Sequence, residues 1–366
     1  MIINLAVLLT VIFLGYLVFE TVYYNKIRKS FKHIIHVNGT RGKSTVTRLI
    51  NAGLYNNGYK TFCKTTGTVP TFIDTHNREI EIKRKGRANI REQLKIMRKA
   101  YKEKAEILII ECMAVTNDIQ YISQHQMLNA DIAIITNARH DHDDQMGDTL
   151  ESVADALSNV IPYNGKLIVG EAWLEDYYQK KAARQNTQIV QVDTGDLDIN
   201  LIDYFEENIR IALTVGTIVG CNRNNFINGM EKYPKDPGVL NILRKKNTIF
   251  INGFSINDPD STKIVYEKIV KQFNTDDLTI LLNNRVDRVY RMLQQIQVID
   301  YIKPKKVIIC GDLKYQAQKK IKKLQFSTDI KYLHDYSDLL NEKLIFAIGN
   351  IANNGFKILS YFKEGN

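Results

Sequence analysis

Apolar positions along this chain fall into two patterns. The first is one long run, Ile2 to Val22, interrupted only by Asn4, Thr10, Gly15, Glu20 and Thr21. Its length matches the hydrocarbon core of a bilayer. A cleaved signal peptide would carry basic residues before the run and small residues after it, and neither feature is present. Instead Tyr16, Tyr23 and Tyr24 lie near its far end as interfacial aromatics do, and Lys26, Arg28, Lys29 and Lys32 follow. The pattern predicts an uncleaved, single-pass membrane anchor over residues 1–24, with the rest of the protein in the cytoplasm. The competing reading is a helix buried in the domain that follows.

From His33 onward, short β-branched runs alternate with amphipathic stretches. Runs at Ile34–Val37, Ile107–Ile110, Ile132–Thr136, Leu167–Val169 and Ile189–Val192 read as strands, and Asn89–Lys104 and Thr149–Val160 read as helices. This alternation predicts an α/β fold of parallel strands with crossover helices. Two prolines and a glycine in Tyr233-Pro-Lys-Asp-Pro-Gly-Val239 stop the pattern. It restarts with runs at Thr248–Ile251, Leu278–Leu282, Val307–Ile309 and Leu344–Ile348. The expected organisation is therefore an anchor over 1–24, a larger domain over 25–235 and a smaller α/β domain over 236–366.

Composition narrows the partners. The 366 residues carry a net charge of +10, which favours an anionic partner. No aromatic–basic interleaving, zinc-finger or helix-turn-helix signature points to nucleic acid. The four cysteines, Cys63, Cys112, Cys221 and Cys310, are widely spaced and form no Cys-x-x-Cys pair, a reduced pattern without a disulfide framework or thiolate metal site.

The chemistry-bearing segments sit at the predicted ends of strands, where α/β sheets bind phosphate. After Ile34–Val37 comes Gly39-Thr40-Arg41-Gly42-Lys43-Ser44-Thr45. Two glycines let backbone N–H groups converge on phosphate oxygens, and the helix opening near Lys43 adds its positive end. Lys43 is expected to reach the terminal phosphates and Ser44 to offer a hydroxyl to magnesium. Only two residues separate the glycines, against four in the general phosphate loop. Glu111 ends the run Ile107–Ile110. The segment Asn137-Ala-Arg-His140-Asp141-His142-Asp143-Asp144 crowds oxygen and nitrogen ligands after the next strand. Thr66, in Lys64-Thr65-Thr66-Gly67-Thr68, can touch metal or phosphate, though a plain turn reads nearly as well. The basic stretch holding Arg84, Lys85 and Arg87 is either a solvated face or a cradle for a polyanionic acceptor.

The short loop resembles the nucleotide loop of Mur ligases and folylpolyglutamate synthases, and Asn-x-x-x-Asp-His-x-Asp resembles a Mur ligase motif. By position that resemblance places Asn137, Asp141, His142 and Asp144, makes Glu111 and His142 magnesium ligands, and gives a Mur ligase-type central ATPase domain with a smaller C-terminal domain. In that second domain Asn257 keeps an asparagine of the family's nucleotide-facing segment, while Ile256 replaces its histidine. Arg285, Asp287 and Arg288 resemble an Asp-Arg segment that approaches nucleotide, with asparagines where glycines are usual, and the family's linker arginine is absent, Val239 standing there. The blocks Lys-Thr-Thr-Gly-Thr, Glu-Cys-Met-Ala-Val, Ile-Pro-Tyr-Asn-Gly and Gly-Asn-Ile, with the anchor in place of a UDP-sugar domain, are similar to the ATPase subunits of poly-γ-glutamate synthases (PgsB/CapB). The resemblance implies an ATP- and Mg2+-dependent amide ligase that extends poly-γ-glutamate through an acyl phosphate, beside small membrane subunits. It leaves homo-oligomerisation open. A membrane NTPase that powers polymer transport and a folylpolyglutamate synthase-like ligase are the alternatives.

Overall fold

The structure is a computed structural model that describes residues 2–67, 69–84, 86, 88–139, 146–147, 149–195, 197, 206–233, 240–256 and 258–364. Two compact units form, each around its own sheet. In the first, strands β1 (His33–Asn38), β2 (Thr61–Thr65), β3 (Thr71–Ile73), β4 (Glu79–Glu81), β5 (Ile107–Glu111), β6 (Ile132–Ile135), β7 (Lys166–Val169) and β8 (Gln188–Val190) lie in the order β4-β3-β2-β5-β1-β6-β7-β8. Six of them run parallel, with His36 level with both Ile110 and Ala133. The central strands are covered on both faces, which is why they read as unbroken β-branched runs without alternation.

β3 and β4 turn back antiparallel at one edge, so the sheet is mixed where the sequence suggested parallel strands alone. Their period was invisible because β3 has three residues, all buried, and β4 three residues, all exposed.

Helices cover both faces. On one, α1 (Ile2–Arg28), α3 (Glu92–Lys102) and α4 (Asn117–Tyr121, running on as a π-helical turn Ile122–Leu128) pack with α5 (Leu150–Leu157) and α6 (Ala172–Arg184). On the other, α2 (Lys43–Asn56) lies against α7 (Glu206–Val219) and α8 (Arg223–Glu231). α1 continues to Arg28 without a break; Tyr24 and Ile27 on its last turns are buried against Leu94, Met97 and Leu108. Leu5 and Phe19, on the part that projects, are 56% and 66% exposed. Among the described residues this is one helix long and apolar enough to cross a membrane.

The second unit carries β9 (Asn241–Lys245), β10 (Thr248–Asn252), β11 (Leu278–Asn284), β12 (Lys306–Gly311), β13 (Asp329–Tyr332) and β14 (Leu344–Gly349), ordered β13-β12-β11-β14-β10-β9. Among the described residues β9 alone pairs antiparallel in this sheet, with β10. Phe250 and Phe362 stack with centroids 4.4 Å apart in its core. All four cysteines are free. Burial pushes the Cys112 thiol up to about 11 and the Cys310 thiol up to about 12, so both are inert rather than nucleophilic.

Candidate active site

β1 ends at Asn38, the chain turns through Gly39–Gly42, and α2 begins at Lys43. Gly39 and Gly42 have φ of 124° and 79°, conformations that L side chains rarely adopt. Space excludes side chains as well. A Cβ at Gly39 would lie 2.1 Å from Thr136 Oγ1, and one at Gly42 would lie 2.5 Å from Asn208 Oδ1. Lys43 curls over the loop, its Nζ donating to the Gly39 carbonyl at 2.5 Å and to the Thr40 carbonyl at 3.3 Å.

Three oxygen-bearing residues from different elements meet beside this loop. Glu111, on the last position of β5, is 3% exposed. Its Oε2 accepts from Ser44 Oγ at 2.9 Å and from the Thr66 N–H at 2.6 Å. A buried carboxylate beside a hydroxyl suits a hard divalent cation, whose usual ligands are oxygens. His142, with Asp141 and Asp144, lies outside the described residues, as do Lys85, Arg87 and Asn257.

Asn137 braces the loop. Its Oδ1 accepts from Thr40 Oγ1 at 2.7 Å and from the Arg41 N–H at 2.9 Å, while its Nδ2 donates to the Arg41 carbonyl at 3.2 Å. Thr40 N–H reaches the Asn137 carbonyl at 3.1 Å, and Thr136 Oγ1 donates to the Arg41 carbonyl at 2.6 Å. The sequence placed Asn137 among the polar cluster after β6; its contacts hold the peptide groups on which the loop's shape depends.

A cavity of about 220 Å³ opens against the loop, lined among others by Gly39, Thr40, Lys43, Thr66, Arg84 and Met113. Arg84 is locked in it, with Nε and Nη2 on the two carboxylate oxygens of Glu92 at 2.8 and 3.0 Å. Glu92 also pairs with Lys64, fully buried, at 3.1 Å. Burial pulls the Lys64 amine down, opposed by Glu92. Burial would raise the Glu92 carboxyl, but Arg84 and Lys64 more than offset it and hold it below its usual range. Sequence reading missed this pairing. A lysine inside the strand Thr61–Thr65 was the available signal, because a buried ammonium needs a carboxylate.

In the second unit Arg285 follows β11 and makes two hydrogen bonds to Asp287, at 2.9 and 2.7 Å; Arg288 lies 3.8 Å from the same carboxylate. The first of the asparagines standing where the family has glycines, Asn283, donates through Nδ2 to the carbonyls of Asn350 and Ala352. It thereby ties β11 to the Gly349-Asn350-Ile351 turn. Ile256 is buried, and Asp258 caps α9 (Pro259–Gln272), accepting from Ser261 N–H at 2.8 Å.

Residues 37–218 match the Mur ligase middle domain, and residues 239–365 match the poly-gamma-glutamate synthase CapB C-terminal domain. The chain is 34% identical to PGA synthase CapB of Bacillus subtilis (strain 168) over 341 residues, covering 87% of this chain and 86% of that protein. The chain belongs to the CapB family. A second CapB protein, the capsule biosynthesis protein CapB of Bacillus anthracis, is 37% identical over 317 residues, covering 83% of this chain and 68% of the relative. Solved structures share the fold at low identity. E. coli FolC in complex with DHPP and ADP aligns with a TM-score of 0.68 and 14% identity over 93% of this chain and 90% of that one. MurF from Acinetobacter baumannii aligns with a TM-score of 0.64 and 13% identity over 92% and 78%. The chain is thus a Mur ligase-like α/β protein with an apolar N-terminal helix.

Proposed function

We propose that this protein is an ATP-dependent amide ligase that elongates poly-γ-glutamate. Membership of the CapB family supports the substrate class. The observation that carries the chemistry is the convergence of Ser44, Thr66 and Glu111 beside the glycine loop and Lys43.

In this reading Gly39, Thr40, Arg41, Gly42, Lys43, Ser44 and Thr45 hold the phosphates of ATP through loop N–H groups, the α2 N-terminus and the lysine charge. By the family resemblance Asn257, Arg285, Asp287 and Arg288 of the second domain are further nucleotide-binding residues. Ser44, Thr66, Glu111 and His142 hold Mg2+, which when bound neutralises charge on the β- and γ-phosphates. A bifunctional folylpolyglutamate synthase/dihydrofolate synthase of this fold has been solved with Mn, AMPPNP and L-glutamate bound.

The γ-carboxylate of the growing polymer attacks the γ-phosphorus, ADP leaves, and an acyl phosphate forms. The amino group of an incoming glutamate then attacks the acyl carbon; phosphate leaves, one proton is released, and the polymer is one residue longer. Lys43 stabilises negative charge on the transferring group. Arg84, with Lys85 and Arg87, receives the acceptor carboxylate, and the Glu92 clamp pre-sets the Arg84 guanidinium beside the loop. The N-terminal helix anchors the enzyme in the cell membrane, with residues 25–235 and 236–366 as cytoplasmic domains beside small membrane subunits that take the polymer.

ADP release with and without glutamate tests the reading. Ligation predicts that turnover rises with glutamate and polymer and that ADP matches glutamate incorporated. Equal turnover without glutamate would favour an NTPase that powers transport.

A further inference from the structure

The direction in which α1 crosses the first unit fixes which edge of the sheet meets the membrane. α3 runs against the strands. Its C-terminal end leads through residues 103–106 into the start of β5, and its N-terminal Glu92 reaches Lys64 near the end of β2. Its Glu92 end therefore lies at the edge that carries the glycine loop and Glu111, and its Lys102 end at the opposite edge.

α1 is tied at both levels. At the site edge Arg91 Nη2 donates to Glu20 Oε1 at 2.9 Å. At the far edge Arg28 Nε donates to the Met127 carbonyl at 2.6 Å, on the π-helical turn that leads into the start of β6. Between them the Arg98 guanidinium sits 5.8 Å from the Tyr24 ring centre. α1 thus descends from the site edge to the opposite edge, and the chain reverses into β1. Residues 2–19 project beyond the site edge.

That projecting part, Ile2–Phe19, is 18 residues of continuous helix without a charged side chain. At about 1.5 Å per residue it extends about 27 Å, close to a hydrocarbon core of about 30 Å. Its first charged neighbour is Glu20, already paired with Arg91. Phe19 and Tyr23 stack with centroids 6.0 Å apart at this boundary, where interfacial aromatics belong. Lys83 is an exposed cation at the same level, suited to anionic headgroups.

We infer that the C-terminal edge of the first sheet, with the nucleotide loop and Glu111, faces the lipid headgroups, so that polymer is extended against the bilayer surface. This rests on the membrane anchoring proposed above. Had α1 entered from the opposite edge, the same anchor would turn the site away from the membrane.

The test uses the full chain with Cys221→Ser, leaving Cys63, Cys112 and Cys310 buried, and a single fluorophore at Lys83→Cys or Lys102→Cys. Both positions are exposed, and the length of α3 separates their levels by about 16 Å. The protein is reconstituted in anionic vesicles with a headgroup nitroxide in both leaflets. The expected result is at least about twofold stronger quenching at position 83 than at 102, in protein that resists alkaline carbonate extraction. Equal or reversed quenching in extraction-resistant protein overturns the orientation and leaves the anchor standing. Protein stripped by carbonate overturns both.

Discussion

Ser44 Oγ donates to Glu111 Oε2 at 2.9 Å, joining the first turn of α2 to the end of β5. The two residues are 67 positions apart, and parallel pairing of β1 with β5 brings them together. Because Glu111 is buried, its charge needs a partner, which in the proposed reading a bound divalent ion would supply. Glu111→Gln keeps the shape and removes the charge. Activity titrated against magnesium should shift to roughly tenfold or higher concentrations in Glu111→Gln, and less in Ser44→Ala. Superimposable curves for wild type and both variants would assign the pair to structure alone.

Asn137→Ala removes three hydrogen bonds to Thr40 and Arg41. Leaving buried partners unsatisfied costs about 1–3 kcal/mol. The loop shape needed for phosphate binding is what those bonds maintain, so nucleotide affinity should fall roughly tenfold. Calorimetric titration with a non-hydrolysable ATP analogue measures it. Unchanged affinity would show that the glycine loop holds its conformation without the brace.

His36 gives the fold an acid limit. It is fully buried in β1, with Nδ1 2.8 Å from Gln124 Oε1 and Nε2 3.4 Å from Ser123 Oγ. Burial pulls its pKa down to about 4, with lesser repulsion from His125 and Lys64 and a partial offset from Gln124. The folded value lies below the unfolded one of about 6.5, so the unfolded chain binds the proton first. The associated stability is present above about pH 6.5 and is lost as pH falls towards 4, about 3 kcal/mol in all. Chemical denaturation at pH 7 and pH 5 should show the loss, and His36→Gln should flatten it. An equally steep dependence in His36→Gln would place the acid sensitivity elsewhere.

Two truncations separate the anchor from the packed part of α1. Deleting Met1–Phe19 removes the projecting segment and should leave a soluble protein that still binds nucleotide. Deleting Met1–Arg28 also removes Tyr24 and Ile27 from the core, each large buried side chain being worth about 2–5 kcal/mol, and should sharply lower the unfolding temperature. Sedimentation after membrane washing and thermal unfolding give the two readouts. If the first truncation still sediments with washed membranes, the anchor assignment fails.

The legible features were those with a local period or a chemical pattern. Buried parallel strands announce themselves as β-branched runs, so Ile107–Ile110 and Leu278–Leu282 were found without long-range information. The glycine loop was legible because backbone geometry and a lysine must fall together within seven residues. Features that depend on partners distant in sequence were not. β4 has no buried position to create a pattern, and β13 alternates only between exposed and half-exposed residues. The π-helical turn at Ile122–Leu128 has no periodic signature apart from an ordinary helix. The Lys64–Glu92–Arg84 chain joins three segments, and only the fold shows that Arg84 belongs to the cavity beside Lys43 rather than to a solvated face.

The most direct test of glutamate ligation is synthesis itself. Membranes carrying the full chain are incubated with ATP, magnesium and labelled glutamate, and polymer containing γ-amide bonds is measured for wild type and Lys43→Ala. Labelled polymer is expected from wild type, with a loss on the order of a hundredfold or more in the variant, whose fold should survive because Lys43 is half-buried and its amine bonds carbonyls of the loop. Wild-type membranes that consume ATP but incorporate no glutamate, or a folded Lys43→Ala protein that makes polymer at the wild-type rate, would contradict this expectation.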